Sequence, residues 1–399
     1  MTAPGRVLEH HTLVVRDGRI LDLLPTAEAG RYSATVALQR PRHLLMPGMI
    51  DTATRAAKSL FRGLPAVDAA ALERRFACPE FVRDGVLLAI AEMLRAGVTC
   101  FGDRHEFPDE TARVACEQGM RALIGLPVAE TPSPWAQSPA ECLTLGLRVR
   151  DEYKGHPLIS TAFAPHAPGR LGDATFARVA TLADELDAGI VIDLHESEHD
   201  IAQSVADHGM RPIERLWKLG LLTPALRAVH MNHVSAADLD LAQRTGIAIS
   251  LSLEASLEHE FRLPPVSSFL GAAARVGLAG RACGTQDVWA EMKLLALVSG
   301  SAWDALAAAT CGGAAACGME DLGLLATGKW ADLCCLELDG PATLPLNDPV
   351  TQLVFCGGRD MVSDVWVAGR QLLSEREMTR LDWAAVAERA GAWARRLKS

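Results

Sequence analysis

ATFARVATLADELDAGIVIDLHESEHD, residues 174–200, contains the pattern that decides the fold of the whole chain. From Ala174 to Leu186 apolar residues recur at three- and four-residue spacing, which predicts a helix with one buried face. Gly189 stands where a helix end favours a left-handed residue. Ile190 to His195 follows as a short apolar run rich in β-branched residues, which predicts a buried strand, and it closes on charged and imidazole side chains. A helix returning to a buried strand that ends on polar groups is one unit of a parallel βα repeat.

Working outward, the same alternation predicts eight strands: Leu45 to Thr52, Val98 to Arg104, Ala122 to Ala129, Ile159 to His166, Ile190 to His195, Ala228 to His233, Ala248 to Leu253 and Ala282 to Gln286. Helical periodicity fills Asp84 to Ala96, Ala236 to Thr245 and Val288 to Val298, and Gly97, Gly119, Gly155 and Gly246 are further candidate caps. Eight such units predict an α/β fold, a closed (β/α)8 TIM barrel. An open doubly wound sheet would want G-x-G-x-x-G after its first strand, and none occurs there. The flanks read differently. LVVRDGRILDLLP (13–25), ADLCCLELDG (331–340) and VSDVWVAGRQLL (362–373) are strand-rich. Residues 1–44 and 324–375 are therefore expected to meet in a small β-sandwich domain, with the barrel over 45–323 and a C-terminal helix over 376–399.

The chain has 399 residues, 49% of them hydrophobic, enough for one barrel and a smaller domain. Its net charge of −10 is dispersed, without a basic cluster, which argues against nucleic acid and anionic membranes as partners. No apolar run of membrane-spanning length and no signal-like start is evident, so a cytoplasmic location is expected. Ten cysteines without C-x-x-C spacing predict reduced, mostly buried thiols.

In a TIM barrel the active site lies at the C-terminal ends of the strands. Polar residues at those ends are Asp51 and Arg55, Asp103, His166, His195 and Glu198, His230 and His233, and Gln286 with Asp287. Any single histidine there is readily explained as a hydrogen-bonded core residue. Four converging beside a glutamate point to a site. HEEH-like spacing in His195, Glu196, Ser197, Glu198 and His199 matches H-E-x-x-H, but that protease chemistry needs both histidines on one helix, and His195 ends a strand.

MPGMID, FRG (61–63), EMLRAGVT, APHAP, HESE, HMNH, GT (284–285) and LGLLATGKWADL together resemble, in order and over essentially the whole chain, the deaminase and chlorohydrolase branch of the metal-dependent amidohydrolases. The resemblance implies one zinc or iron held by an H-x-H after strand 1, a histidine after strand 5 and an aspartate after strand 8. It also implies a proton-shuttling glutamate three residues past the strand-5 histidine and a polarising histidine on strand 6. By position these are His195, Glu198 and His230. Ala53 and Arg55 stand at the H-x-H, and Gln286 at the strand-8 aspartate unless a shift brings in Asp287. A methyl group has no lone pair, and a cation at Arg55 repels a metal.

The expectation is therefore a divergent enzyme acting on a C–N or C–O bond of a small polar or heterocyclic molecule, with no cofactor expected. Glu198, His195 and His230 are its acid–base residues, and Arg55, His166, His233, Asp103 and Gln286 bind a ligand that carries a carbonyl or a negative charge. If zinc or iron binds, His166, His195 and His230 are the fallback ligands. The alternatives are a catalytically retired homologue serving as partner or regulatory subunit, or a ligand-binding protein, with Arg55 merely filling the metal's place against Asp103 or Glu198. A homodimer, or a pairing with a paralogous amidohydrolase, is the expected assembly.

Overall fold

The computed structural model describes residues 5–64, 66–271, 275–281, 284–341 and 343–398. Its strands are β1 (His11–Arg16), β2 (Arg19–Pro25), β3 (His43–Pro47), β4 (Met49–Thr54), β5 (Val98–Asp103), β6 (Arg121–Val128), β7 (Ile159–Pro165), β8 (Gly189–Leu194), β9 (Leu226–His230), β10 (Ala248–Leu251), β11 (Arg275–Leu278), β12 (Leu333–Glu337), β13 (Val362–Val367), β14 (Arg370–Ser374) and β15 (Glu377–Met378). β4 to β11 close a parallel (β/α)8 barrel, with Leu278 of β11 paired to Asp51 of β4. A second, antiparallel sheet runs β15-β14-β13-β12-β3, so a segment ahead of the barrel pairs with segments behind it in a small β domain. The β1–β2 hairpin reaches this region through an Arg19–Trp330 bridge.

The run Leu45 to Thr52, expected as one strand, is two. Gly48 divides it, and a Cβ there would sit 2.1 Å from the Thr99 Oγ1, so glycine lets the chain pass from one sheet into the other. Gly48 N donates to Asp332 O at 2.9 Å across the same junction. Asp332 in turn accepts from Arg121 Nε at 2.7 Å and Nη2 at 3.0 Å, a buried two-pronged pair that fastens the small sheet to β6.

The eighth strand lies earlier than expected, at Arg275–Leu278 and not at Ala282 to Gln286. Residues 282 and 283 fall outside the described residues, and Gln286 lies in the turn before the helix Trp289–Ser299. RVGL is short and contains a glycine, which weakens its strand signal. Packing is what requires that glycine, since a Cβ at Gly277 would lie 2.5 Å from the Thr52 methyl. Gly189 also departs from expectation. It opens β8, and Asp187 takes the left-handed turn at φ 47°.

Ile190, Ile192 and Leu194 of β8 pack in the main core with Phe176, Val179 and Leu182 of the helix Asp173–Glu185, while Val191 belongs to a separate inner cluster. The C-terminal helix Trp383–Arg396 docks through Trp393, whose Nε1 donates to Asp84 Oδ2 at 3.0 Å. The nine described cysteines are free. No helix among the described residues is long and apolar enough to cross a membrane.

Asp51 supplies a test of this framework. It is fully buried, and its Oδ1 accepts from Gly280 N at 3.0 Å and Ala53 N at 3.3 Å, tying the first strand to the exit of the eighth. Asp51→Ala strands two buried N–H groups and should cost roughly 2–4 kcal/mol in thermal melts while ligand affinity changes less. Burial pushes the Asp51 carboxyl up from 3.8 to about 7. The protonated form is thus favoured in the fold, and this residue's contribution declines as pH rises through that interval. Asp51→Asn, which does not titrate, should flatten that slope; an unchanged melting temperature in Asp51→Ala would refute the tie.

Candidate active site

Side chains along a strand alternate in direction, so residues two apart point the same way. Ala53, Ala164, Val191, Val229 and Ala279 form the buried inner cluster, an apolar floor across the barrel. Two places on from three of them come Arg55, His166 and Asp193, at the mouth. On β9 the step is broken. His230 and Met231 have φ of 78° and 56°, Met231 turns into the outer core, and the His230 ring takes the inner position. Non-glycine residues at positive φ are strained, and such strain persists where surrounding structure enforces it. Here the turn is held by Met231 N donating to Leu194 O and Asn232 N donating to His195 O, both at 3.0 Å.

Asp193 is the centre of the mouth. Its Oδ1 accepts from Arg104 Nη1 at 2.6 Å and its Oδ2 from Arg55 Nη2 at 3.3 Å. His230 Nε2 lies 3.5 Å from Asp193 Oδ1 and 3.7 Å from Glu196 Oε1. Burial alone would raise the Asp193 carboxyl. Arg104, His230 and Arg55 outweigh it and hold the group well below the usual carboxylate range. Arg55 is pulled down by burial, but Asp193, Glu73 and Glu196 raise its guanidinium overall. Glu73 is itself paired with Lys58 Nζ at 2.7 Å and His105 Nε2 at 3.1 Å.

Of the residues expected from sequence, Arg55 and His230 meet here, and His166 stands exposed at the rim after β7, its imidazole lowered by partial desolvation, Arg55 and Arg170. The others go elsewhere. His195, at φ 52°, leaves the strand alternation and is buried behind β8, its Nε2 accepting from Ile213 N at 3.3 Å and its Nδ1 3.8 Å from Asp238. Glu198 opens the helix Glu198–His208 with its side chain 78% exposed, 3.6 Å from His233 Nδ1 and 3.8 Å from Arg262. His195 and His199 are accordingly not a helical pair. Asp103 is consumed by Ala56 N at 2.7 Å, Thr54 Oγ1 at 3.0 Å and Thr111 Oγ1 at 3.3 Å. Gln286 is buried against Glu92 and Arg281 O, and Asp287 faces Trp289 N and Arg359. Arg55 pairs with Asp193, not with Asp103 or Glu198.

The H-x-x-E offset is satisfied a second time, by Asp193 and Glu196, two residues earlier. Neither residue, nor Arg104, was expected in the site. The detectable signal was the charged residue inside an apolar strand, in phase with inward-facing Val191.

The fallback trio of His166, His195 and His230 does not assemble. Among the described residues, the group with ligand atoms all within 4.8 Å of one another is Asp193, Glu196 and His230. Two carboxylates and an imidazole can hold a divalent cation, so the expectation of no cofactor meets a donor group it overlooked. Among the described residues nothing completes a four-ligand centre: Ala53 is part of the floor, and Arg281, three residues after β11, pairs with Glu258 at 2.6 Å. With Arg55 and Arg104 on Asp193, these residues do not fit a metal.

The profile of the Amidohydrolase family matches residues 44–372. A protein named 5-methylthioadenosine/S-adenosylhomocysteine deaminase from Teredinibacter turnerae is 37% identical, over 98% of this chain and 94% of that protein. One of the same name from Saccharophagus degradans is 34% identical, over 98% and 92%. An adenosine deaminase from Xanthomonas campestris, solved with bound zinc, superposes with a TM-score of 0.96 at 36% identity, covering 99% of this chain and 95% of that one. An atrazine chlorohydrolase from Arthrobacter aurescens, complexed with zinc, superposes at 0.89 with 20% identity over 97% and 96%, a likeness of fold.

The placement of His195 can be tested by acid. Burial pushes its imidazole down from 6.5 to about 4, so the fold favours the neutral ring. Its contribution is complete above the ordinary value and is lost as pH falls through that interval, by roughly 3 kcal/mol. His195→Gln, which still offers Ile213 N an acceptor, should remove this part of the acid lability in thermal melts. Equal acid lability of the two proteins would mean that the ring is solvated.

Proposed function

From the premise that this chain belongs to the amidohydrolase family, we propose that its barrel mouth hydrolyses a C–N bond of a small, uncharged amino-heterocycle, with a 6-aminopurine nucleoside or thioether derivative as first candidate. The observation that carries this reading is the closeness of Glu196 and His230 beside Asp193, above an apolar floor. The names of the 37% and 34% identical relatives support the substrate class. In the proposed reaction a water oxygen bonds to the ring carbon, the exocyclic C–N bond breaks and ammonia leaves. Glu196, 44% exposed, takes the water's two protons in turn, passing the first to a ring nitrogen and the second to the leaving amino group, and His230 polarises the attacked group. Acid–base help of this kind contributes about 10²- to 10⁴-fold. Arg55 and Arg104 balance Asp193 and Glu196 in charge, which suits an uncharged heterocycle better than the anion expected from Arg55 alone.

One observation favours a second reading, ligand binding without turnover: both Asp193 oxygens are already occupied by guanidinium groups. Ammonia release and calorimetric binding, measured with 5′-methylthioadenosine and S-adenosylhomocysteine, separate the two. Under the first reading Glu196→Gln lowers kcat by about 10²-fold or more with little change in KM, while Glu198→Gln stays within about threefold of wild type. Binding without ammonia establishes the second reading, and neither binding nor ammonia overturns both.

A further inference from the structure

We propose that Arg55 and Arg104 together take the place of a divalent cation in this barrel, so that the guanidinium pair and a metal exclude each other. The inference concerns the centre proposed above, but it is read by zinc uptake and not by turnover, so either proposal can fail alone. Three observations carry it. First, the candidate donors and the two arginines share the same atoms: Asp193 offers Oδ1 to Arg104 and Oδ2 to Arg55, leaving no Asp193 oxygen free of a guanidinium. Secondly, the charges already cancel, two guanidiniums against Asp193 and Glu196. A dication added to that group would meet two fixed positive charges at short range in a partly desolvated mouth.

Thirdly, the barrel makes room for the second arginine. A Cβ at Gly125 on β6 would lie 3.1 Å from the Arg104 Cγ and 2.9 Å from the Ala164 Cβ. The same Cβ would lie 2.9 Å from the Asp103 O, so the glycine keeps β6 close to both neighbouring strands and to the Arg104 stem, which reaches from the end of β5 to Asp193 on β8. Arg104 Nε is buried with no hydrogen-bond partner, so Asp193 is the acceptor that fixes this side chain. Arg104 is therefore a positioning residue, setting the charge and orientation of Asp193 and through it His230, 3.5 Å from the same oxygen.

Zinc alone is the probe, in equilibrium dialysis of the full chain at neutral pH, with circular dichroism to verify folding. Wild type should retain less than about 0.2 equivalents after desalting, because the donor group is occupied. Arg55→Gln with Arg104→Gln should bind about one equivalent at least about tenfold more tightly, by relief of the repulsion. Arg55→Lys with Arg104→Lys keeps the charge and should stay near wild type. Adding Asp193→Asn to the glutamine pair should abolish the gain. Arg104→Gln alone, which removes one of the two guanidiniums from Asp193, should raise zinc uptake in the same direction, and it decides the matter if the glutamine pair does not fold. Stoichiometric zinc in wild type, or variants no tighter than wild type, would overturn the proposal.

Discussion

A closed barrel forces its strands to place every second side chain in a crowded interior, and this alternation governs both the core and the site. The interior floor can be no larger than Ala53, Ala164, Val191, Val229 and Ala279 allow. Because these residues are small, their neighbours two places on converge above them. Ile190, Ile192 and Leu194 take the other direction and seal the barrel against its helices. The polar centre thus rests on apolar packing that leaves it little freedom to move sideways.

The second constraint is electrostatic. A carboxylate taken out of water must find partners or become neutral. This chain solves the problem differently from site to site. Asp51 has only two backbone donors, and its carboxyl rises to about 7. Asp103 has a backbone donor and two hydroxyls. Asp193 has no backbone donor and instead faces two guanidiniums that reach it across the barrel from the ends of β4 and β5, and an imidazole from the adjacent β9.

Much of the framework was legible along the chain. Seven of the eight barrel strands were found close to their expected places because apolar runs and helical periodicity report local burial, and only the eighth lay clearly elsewhere. The eighth failed because RVGL is short and its glycine answers to Thr52, a residue distant in sequence. Arg55 and His230 were legible as strand-end residues. His195 and Glu198 were misplaced for a different reason: HESE and DLHE offer the same three-residue offset, and no local property chooses between them. The choice is made by the left-handed turn at His195, which ends the alternation and sends the ring towards Ile213 and Asp238.

By itself the sequence determined the α/β barrel, the small β domain built from the two strand-rich flanks, and the lack of lone-pair donors at Ala53 and Arg55. Those properties depend on residue type and on short-range period. Tertiary structure alone decided that Asp193 is the centre, that Arg104 joins Arg55 upon it, and that His230 replaces Met231 at the mouth. Each of these rests on where a side chain points after a strand has ended and on charges brought together from β4, β5, β8 and β9. Barrel closure creates those proximities, because burial in a shared mouth makes distant charges compensate one another.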